Sequence, residues 1–338
     1  MFFSKPGNNI NFCTKGKNIG LGIRHLFNLQ NKCLGFKPVC IIYSMHGLSP
    51  VKSVLEFNEK DSDQGVERKY LYYTRDSAHI NTEKQEADII NSTYWKKMLF
   101  LDGTLQSTLR DEVIYHNALV HPLLDTLQSK DNILILGGGE GATAREVLRW
   151  SKVKSVMMVD YDKELVDFMR LHGAEWSCGA FHDKRLSLLF HDAWDFVKSG
   201  IEYDGVIIDL TDPDLATEKW PQLLMNVLSC VKSKKGGFVM NAGLYQPWAT
   251  QKLKNILSIV KDICSKNIEF RYYIYTVFVP SFNGEWTFIL VAHKGKFMVE
   301  PEFSDVIPPW LKRGIKMLPD EILNDYISVV PDISPICK

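Results

Sequence analysis

The chain lacks a charge excess of either sign, cysteines at metal-ligand spacing, and any long apolar run. Its 338 residues carry 40 lysines and arginines against 40 aspartates and glutamates. No net field draws it toward nucleic acid or an anionic membrane, and neither partner is expected. The seven cysteines (Cys13, Cys33, Cys40, Cys178, Cys230, Cys264, Cys337) are scattered, with no Cys-x-x-Cys pair. A metal site and a disulfide framework are therefore not expected, and a reducing compartment is the default. No segment reaches the roughly 20 apolar residues that span a bilayer, so the chain reads as soluble and cytoplasmic. The most local absence is of acid: none stands from Met1 to Leu55, where Lys5, Lys15, Lys17, Arg24, Lys32, Lys37 and Lys52 are basic. Residues 1–55 have the composition of an organellar presequence, mitochondrial or plastid-like. The alternative is a disordered extension, dispensable if translation also starts at Met45.

What is present suffices for a large core, with 45% hydrophobic residues. Lys69 to Tyr73 (KYLYY), Ala87 to Ile90 (ADII) and Lys97 to Leu101 (KMLFL) are β-prone, and the last runs into the turn pair Asp102-Gly103. They predict a small antiparallel β domain over 66–109. A helix is expected from about Arg110 to Ser129. Short apolar runs then alternate with helical segments: Asn132 to Leu136, Ser155 to Val159, Leu186 to Phe190, Gly205 to Ile208 and Gly237 to Met240. Fully apolar strands between helices indicate an α/β, doubly wound, mostly parallel sheet over 110–325. Tyr272 to Val279 and Trp286 to Ala292 flank a Pro-Ser-Phe-Asn-Gly turn and predict a C-terminal antiparallel hairpin. Residues 326–338 read as a tail.

Four acids, and a glycine turn that contains a fifth, carry the chemistry. Gly137-Gly138-Gly139-Glu140-Gly141 closes the first apolar strand and opens a helix, a turn that lets backbone approach a ligand. Asp160 ends the next strand about twenty residues on, where a carboxylate can hold ribose hydroxyls. Asp192 follows the third strand and is placed for an adenine amino group. Either acid could instead be a helix N-cap, and the turn only a tight connection. Glu140, inside the glycine cluster, repels phosphate or carboxylate and favours an ammonium. That disfavours NAD and intact S-adenosylmethionine. Asp209 and Asp212 in Asp209-Leu210-Thr211-Asp212-Pro213 could take a proton from an attacking amine and hold a second ammonium. They could equally be an Asp–Pro turn.

In order, LDGTLQSTLRDEVIYHNALVHP, ILILGGGEGATAREVL, VDYDKELVDF, HDAWDF, VIIDLTDP and VFVPSF resemble the aminopropyltransferase family of spermidine, spermine and thermospermine synthases. The resemblance runs from about Gln85 to Pro319. It implies a methyltransferase-like (Rossmann-like) sheet and a homodimer. It also implies transfer of an aminopropyl group from decarboxylated S-adenosylmethionine to a polyamine acceptor, releasing methylthioadenosine without a metal. By position, Asp209 resembles the catalytic base and Tyr115 the tyrosine that assists it. Gln85, Gly137, Gly138, Gly139, Glu140, Asp160 and Asp192 resemble the donor-binding set. Gln106, Asp212 and Phe282 resemble acceptor contacts. His116, the DLTDP form, PSF and the segment AEWSCGAFHDKR are similar to the thermospermine and agmatine/triamine branch, although His116 could also be a packed helix residue. Asn241 stands where that branch has glutamine, and the stretch from Asp214 to Gln222 is shorter than usual. Two other readings remain. A polyamine N-methyltransferase would prefer the intact donor, and a silent regulatory homologue would turn over neither.

Overall fold

The computed structural model describes residues 54–61, 65–210, 213, 219–232, 236–246, 251–293 and 306–318. Contacts divide the chain into two compact units at Arg75/Asp76. In the first, β1 (Val54–Asp61) pairs antiparallel with β2 (Val66–Asn81), Val54 opposite Tyr73 and Asp61 opposite Val66. The buried Tyr70 hydroxyl donates to Glu59 at 2.7 Å.

The second unit takes in the end of β2, followed by β3 (Glu86–Ser92), β4 (Lys96–Leu101) and β5 (Thr104–Thr108). β4 and β5 form a hairpin in which Asp102 and Gly103 have φ of 47° and 75°. Two positive φ values in succession match the twist of antiparallel strands, which is why Asp-Gly marks the turn.

The main sheet has eight strands in the order β13-β11-β12-β10-β9-β6-β7-β8. Its parallel half is β6 (Asn132–Gly137), β7 (Ser155–Asp160), β8 (Leu186–Phe190), β9 (Gly205–Asp209) and β10 (Gly237–Tyr245). β11 (Phe270–Val279) and β12 (Gly284–His293) form the expected hairpin, with β13 (Lys316–Met317) on its edge. The chain moves outward from β6 to β8, then returns to place β9 on the other side of β6. β6 and β9 therefore form the switch point at which open α/β sheets bind ligands.

The apolar runs are continuous because both faces are covered. Leu134, Leu136, Val206, Ile208, Phe238 and Met240 pack into one core with α5 (Lys219–Ser229) and α6 (Gln251–Lys266). Ile133, Ile135, Ile207 and Val239 pack into the other with α1 (Glu112–Thr126) and α2 (Ala142–Leu148). Each such side chain contributes about 1.5–3 kcal/mol on burial. Between these helices in the chain lie α3 (Lys163–His172) and the short α4 (Ala193–Phe196). α1 contains Pro122, which cannot donate to the Ala118 carbonyl one turn back. The buried Tyr275 hydroxyl donates to that carbonyl instead, at 2.8 Å, and ties the helix to β11. Among the described residues, no helix is long and apolar enough to cross a membrane.

Candidate active site

A cleft of about 650 Å³ opens over the carboxyl ends of β6, β7 and β9. Every site residue named from the sequence and described here lines it. Gln85, Gln106, Tyr115 and His116 come from before the main sheet, and Gly137 to Glu140, Asp160 and Asp192 from its first three strands. Asp209, Asn241 and Phe282 complete it. Asp212 lies outside the described residues, as do most of the shortened stretch before Gln222, the leader before Val54 and the 326–338 tail.

The glycine turn is a tight connection that also leaves the acid behind it open to the cleft. Gly137 pairs with Asp209 across β6 and β9, and a Cβ at Gly137 would stand 2.2 Å from the Asp209 carbonyl oxygen. The residue must be glycine for the strands to meet. A Cβ at Gly139 would stand 3.0 Å from the Asp160 carboxylate, so glycine there leaves that acid uncovered.

The acids differ in how they are held. Asp160 does not cap a helix: its Oδ1 accepts from the Asp162 backbone at 2.9 Å, and Asp162 caps α3 by accepting from Leu165 N. Asp162 also accepts from Gln85 Nε2 at 3.0 Å, which fixes Gln85 at the cleft wall. Asp192 is exposed and does cap α4, accepting from Trp194 N at 2.7 Å. Asp209 receives a hydroxyl on each oxygen, from Tyr115 at 3.3 Å and from Thr143 at 2.5 Å.

His116 is buried, 2% exposed, with Nδ1 2.8 Å from Glu112 and Nε2 2.8 Å from Glu140. Burial disfavours its charge, but the two carboxylates outweigh burial and hold it protonated, well above the ordinary histidine range. Burial would likewise raise Glu140, but the bond and charge of His116 hold it below the usual carboxylate value. Among the described residues, no cation is hydrogen-bonded to the other two acids. Burial first, then the charge of Glu140, pushes Asp209 up to about 6, against the pull of His116, Thr143 and Tyr115. Burial first, then Asp162 and Glu140, pushes Asp160 up to about 6. One permanent anion thus stands beside two acids with raised proton affinity, a separation that assigns different chemical roles to neighbouring carboxylates.

The opposite wall is aromatic. Tyr115 meets Phe282 and Trp286 edge to face, and the Phe282 and Trp286 rings are tilted at 40° with centres 4.5 Å apart. Asp111 at the start of α1 accepts from Ser281 N at 2.7 Å and so fixes the turn carrying Phe282. Asn241 Oδ1 accepts from Trp286 Nε1 at 2.8 Å and from Gly243 N at 2.8 Å. Sequence reasoning missed Trp286 and Thr143. The first stood in a recognised β-run, but only its pairing with β10 and β11 turns it to the cleft. The second shows no local signal.

The model of the spermine/spermidine synthase domain matches residues 112–301, more than half of the chain. A polyamine aminopropyltransferase of Sulfolobus acidocaldarius is 41% identical over 202 residues, 58% of this chain and 64% of that protein. The chain thus spans just under two thirds of that relative. One from Saccharolobus islandicus is 35% identical over 239 residues, 68% of this chain and 76% of that protein. The crystal structure of spermidine synthase from Thermotoga maritima superposes with a TM-score of 0.64 at 21% identity, over 82% of this chain and 92% of that one. A spermidine synthase in complex with the transition state analogue AdoDATO gives 0.63 at 23%, over 80% and 97%. At these identities the two structures carry the fold, and the sequence matches carry the family. The chain belongs to the spermine/spermidine synthase family, the polyamine aminopropyltransferases.

Proposed function

We propose that this aminopropyltransferase takes its aminopropyl group from decarboxylated S-adenosylmethionine and passes it to an amine of a polyamine, with Asp209 as base. The observation that supports this most is the half-buried Asp209 carboxylate at the switch point, held by two hydroxyls beside a fixed anion, Glu140. At neutral pH an acid near 6 is mostly ionised yet keeps proton affinity. An alkyl amine, protonated with a pKa of about 10, must lose a proton before it can attack. Asp209 accepts that proton. The nitrogen then bonds to the methylene carbon next to the sulfonium as the carbon–sulfur bond breaks. The bonding pair stays on sulfur, and neutral methylthioadenosine leaves.

In this reading Glu140 anchors the donor's ammonium, Asp160 the ribose and Asp192 the adenine, with Gln85 at the donor wall. Gln106 and Asp212 hold the acceptor against Tyr115, Phe282 and Trp286, whose faces suit alkylammonium groups. His116 acts through Glu140, since both its nitrogens already face carboxylates. One ligand atom each of His116, Glu140 and Asp209 lies within 4.8 Å of the others. With His116 protonated, neither nitrogen offers a lone pair to a metal. The sulfonium is a good leaving group, so the displacement does not call for a Lewis acid.

The test is incubation of the purified chain with decarboxylated S-adenosylmethionine and, separately, putrescine, agmatine, spermidine and spermine, with methylthioadenosine and products followed by mass spectrometry. Methylthioadenosine with one amine, lost in Asp209→Asn, is expected and names the acceptor. Release with no amine, or turnover only with the intact methyl donor, would sink the reading. A homodimer is checked by light scattering. Fusion of residues 1–55 to a fluorescent protein tests the leader.

A further inference from the structure

We propose that Thr143 is a positioning residue for the transfer: its hydroxyl fixes the Asp209 carboxylate so that Oδ1, beside the aromatic wall, takes the amine proton. This rests on the reading of Asp209 as base.

Thr143 is the second residue of α2 and is fully buried. A helical threonine ordinarily spends its hydroxyl on its own backbone, a turn away. Here the hydroxyl crosses to β9 and donates to Asp209 Oδ2 at 2.5 Å, in the range of charge-assisted bonds. A hydroxyl has one hydrogen, and a carboxylate can only accept, so that hydrogen is committed. Tyr115 meets the other oxygen at a looser 3.3 Å.

The turn closes the Oδ2 side. A Cβ at Gly138 would stand 3.2 Å from Asp209 Oδ2 and 3.6 Å from Thr143 Cβ, so backbone and helix crowd that oxygen. Oδ1, held less tightly and next to Tyr115, is the oxygen that an amine lying along Tyr115, Phe282 and Trp286 would meet. Valine would fill the same space as threonine, so nothing in the packing calls for a hydroxyl there.

The bond also sets when the base is available. The groups facing Asp209 are Tyr115 and His116 from α1, Glu140 from the turn after β6, and Thr143 from α2. Burial and Glu140 favour the protonated acid, and His116 and the two hydroxyls favour the carboxylate. Removal of Thr143's hydroxyl takes one of the three groups from the ionising side.

The experiment is steady-state kinetics of the full chain from pH 5.5 to 9, with decarboxylated S-adenosylmethionine and the amine that turns over. In Thr143→Val the acidic limb of kcat/KM is expected to move up by about one pH unit. At pH 7, kcat should fall about tenfold while the donor KM changes less than about threefold. Thr143→Ser should restore both. A Thr143→Val enzyme with the wild-type limb and kcat overturns the proposal, as does a Thr143→Ser enzyme as impaired as Thr143→Val. Thr143→Ala is read the same way if valine prevents folding, with calorimetric binding of methylthioadenosine as the check on the site. Asp209→Asn separates the two levels. If it stays active, the base reading fails. If it is dead while Thr143→Val is unchanged, only the present inference fails.

Discussion

Two clusters of buried or half-buried acids lie on either side of α2, and they are handled in opposite ways. In the seam between α1 and α2, each carboxylate has cations to match. Glu112 takes two bonds from Arg145 at 2.9 Å and faces His116, while Glu146 meets Arg145 at 2.9 Å and Arg149 at 2.6 Å. Burial opposes the charge on Glu146, but His121 and the two arginines outweigh burial and lower it to about 2. At the cleft floor Asp209 has two hydroxyls and Asp160 a backbone N–H, and among the described residues no basic side chain is hydrogen-bonded to either. Both rise to about 6. A matched acid stabilises the fold. An unmatched one is disfavoured until a cation arrives, which is what the proposed binding of a sulfonium and ammonium groups would require.

The largest effect that would break this comparison is catalytic. Asp209→Asn is expected to lower methylthioadenosine release by about a thousandfold, read as initial rate at saturating substrates. Activity within tenfold of wild type would place Asp209 with the structural acids. In the seam, Glu146→Ala leaves Arg145 and Arg149 with less compensation and should lower unfolding free energy by about 3–5 kcal/mol in a urea titration. Turnover per folded molecule should stay within about threefold.

The third effect runs with the opposite sign. Asp209 and Asp160 stand near 6 in the folded chain against about 4 unfolded, so above pH 6 each penalises the ligand-free fold by about 3 kcal/mol. The penalty grows as pH rises from 4 to 6. Glu146, with its folded value lowered, contributes stability that is complete above about pH 4.5 and lost as pH falls toward 2. Ligand-free Asp209→Asn should therefore be more stable than wild type at pH 7 and equal to it near pH 4. Equal stability at both values would mean that the acid is not under strain. The smallest effect is on the aromatic wall: Trp286→Phe loses the bond to Asn241 and should raise the acceptor KM about three- to tenfold, leaving the donor KM unchanged.

Much of this was readable in advance where the signal was local. The five parallel strands stand within a few residues of their apolar runs, because a strand covered on both faces must be apolar throughout, although the edge strand β8 is only half-covered. The Asp102-Gly103 turn was readable because its backbone requires positive φ. Which strand-end acid also caps the following helix was not. Asp192 proves to cap α4, while at the corresponding strand end the capping falls to Asp162, two residues past Asp160. His116 was open between packing and site, and it takes part in both: buried in the helix interface, it spends one nitrogen on the seam and one on Glu140. Arg145, Thr143 and Trp286 carry no local mark, because Glu112, Asp209 and Asn241 are their partners only after the chain has folded.

By itself the sequence determined the order of strands and helices, the glycine turn and the acids at strand ends, since periodicity, backbone freedom and residue chemistry act over a few neighbouring residues. Their convergence on one cleft belonged to the tertiary structure. The return of β9 beside β6 brings Asp209 against Gly137, and α1 and α2 then bring Tyr115 and Thr143 to its two oxygens. The same packing decided which buried carboxylates have a cation and which do not. Burial and pairing are properties of distance in space, and only they separate the carboxylates that the fold pairs with cations from those that it leaves unmatched.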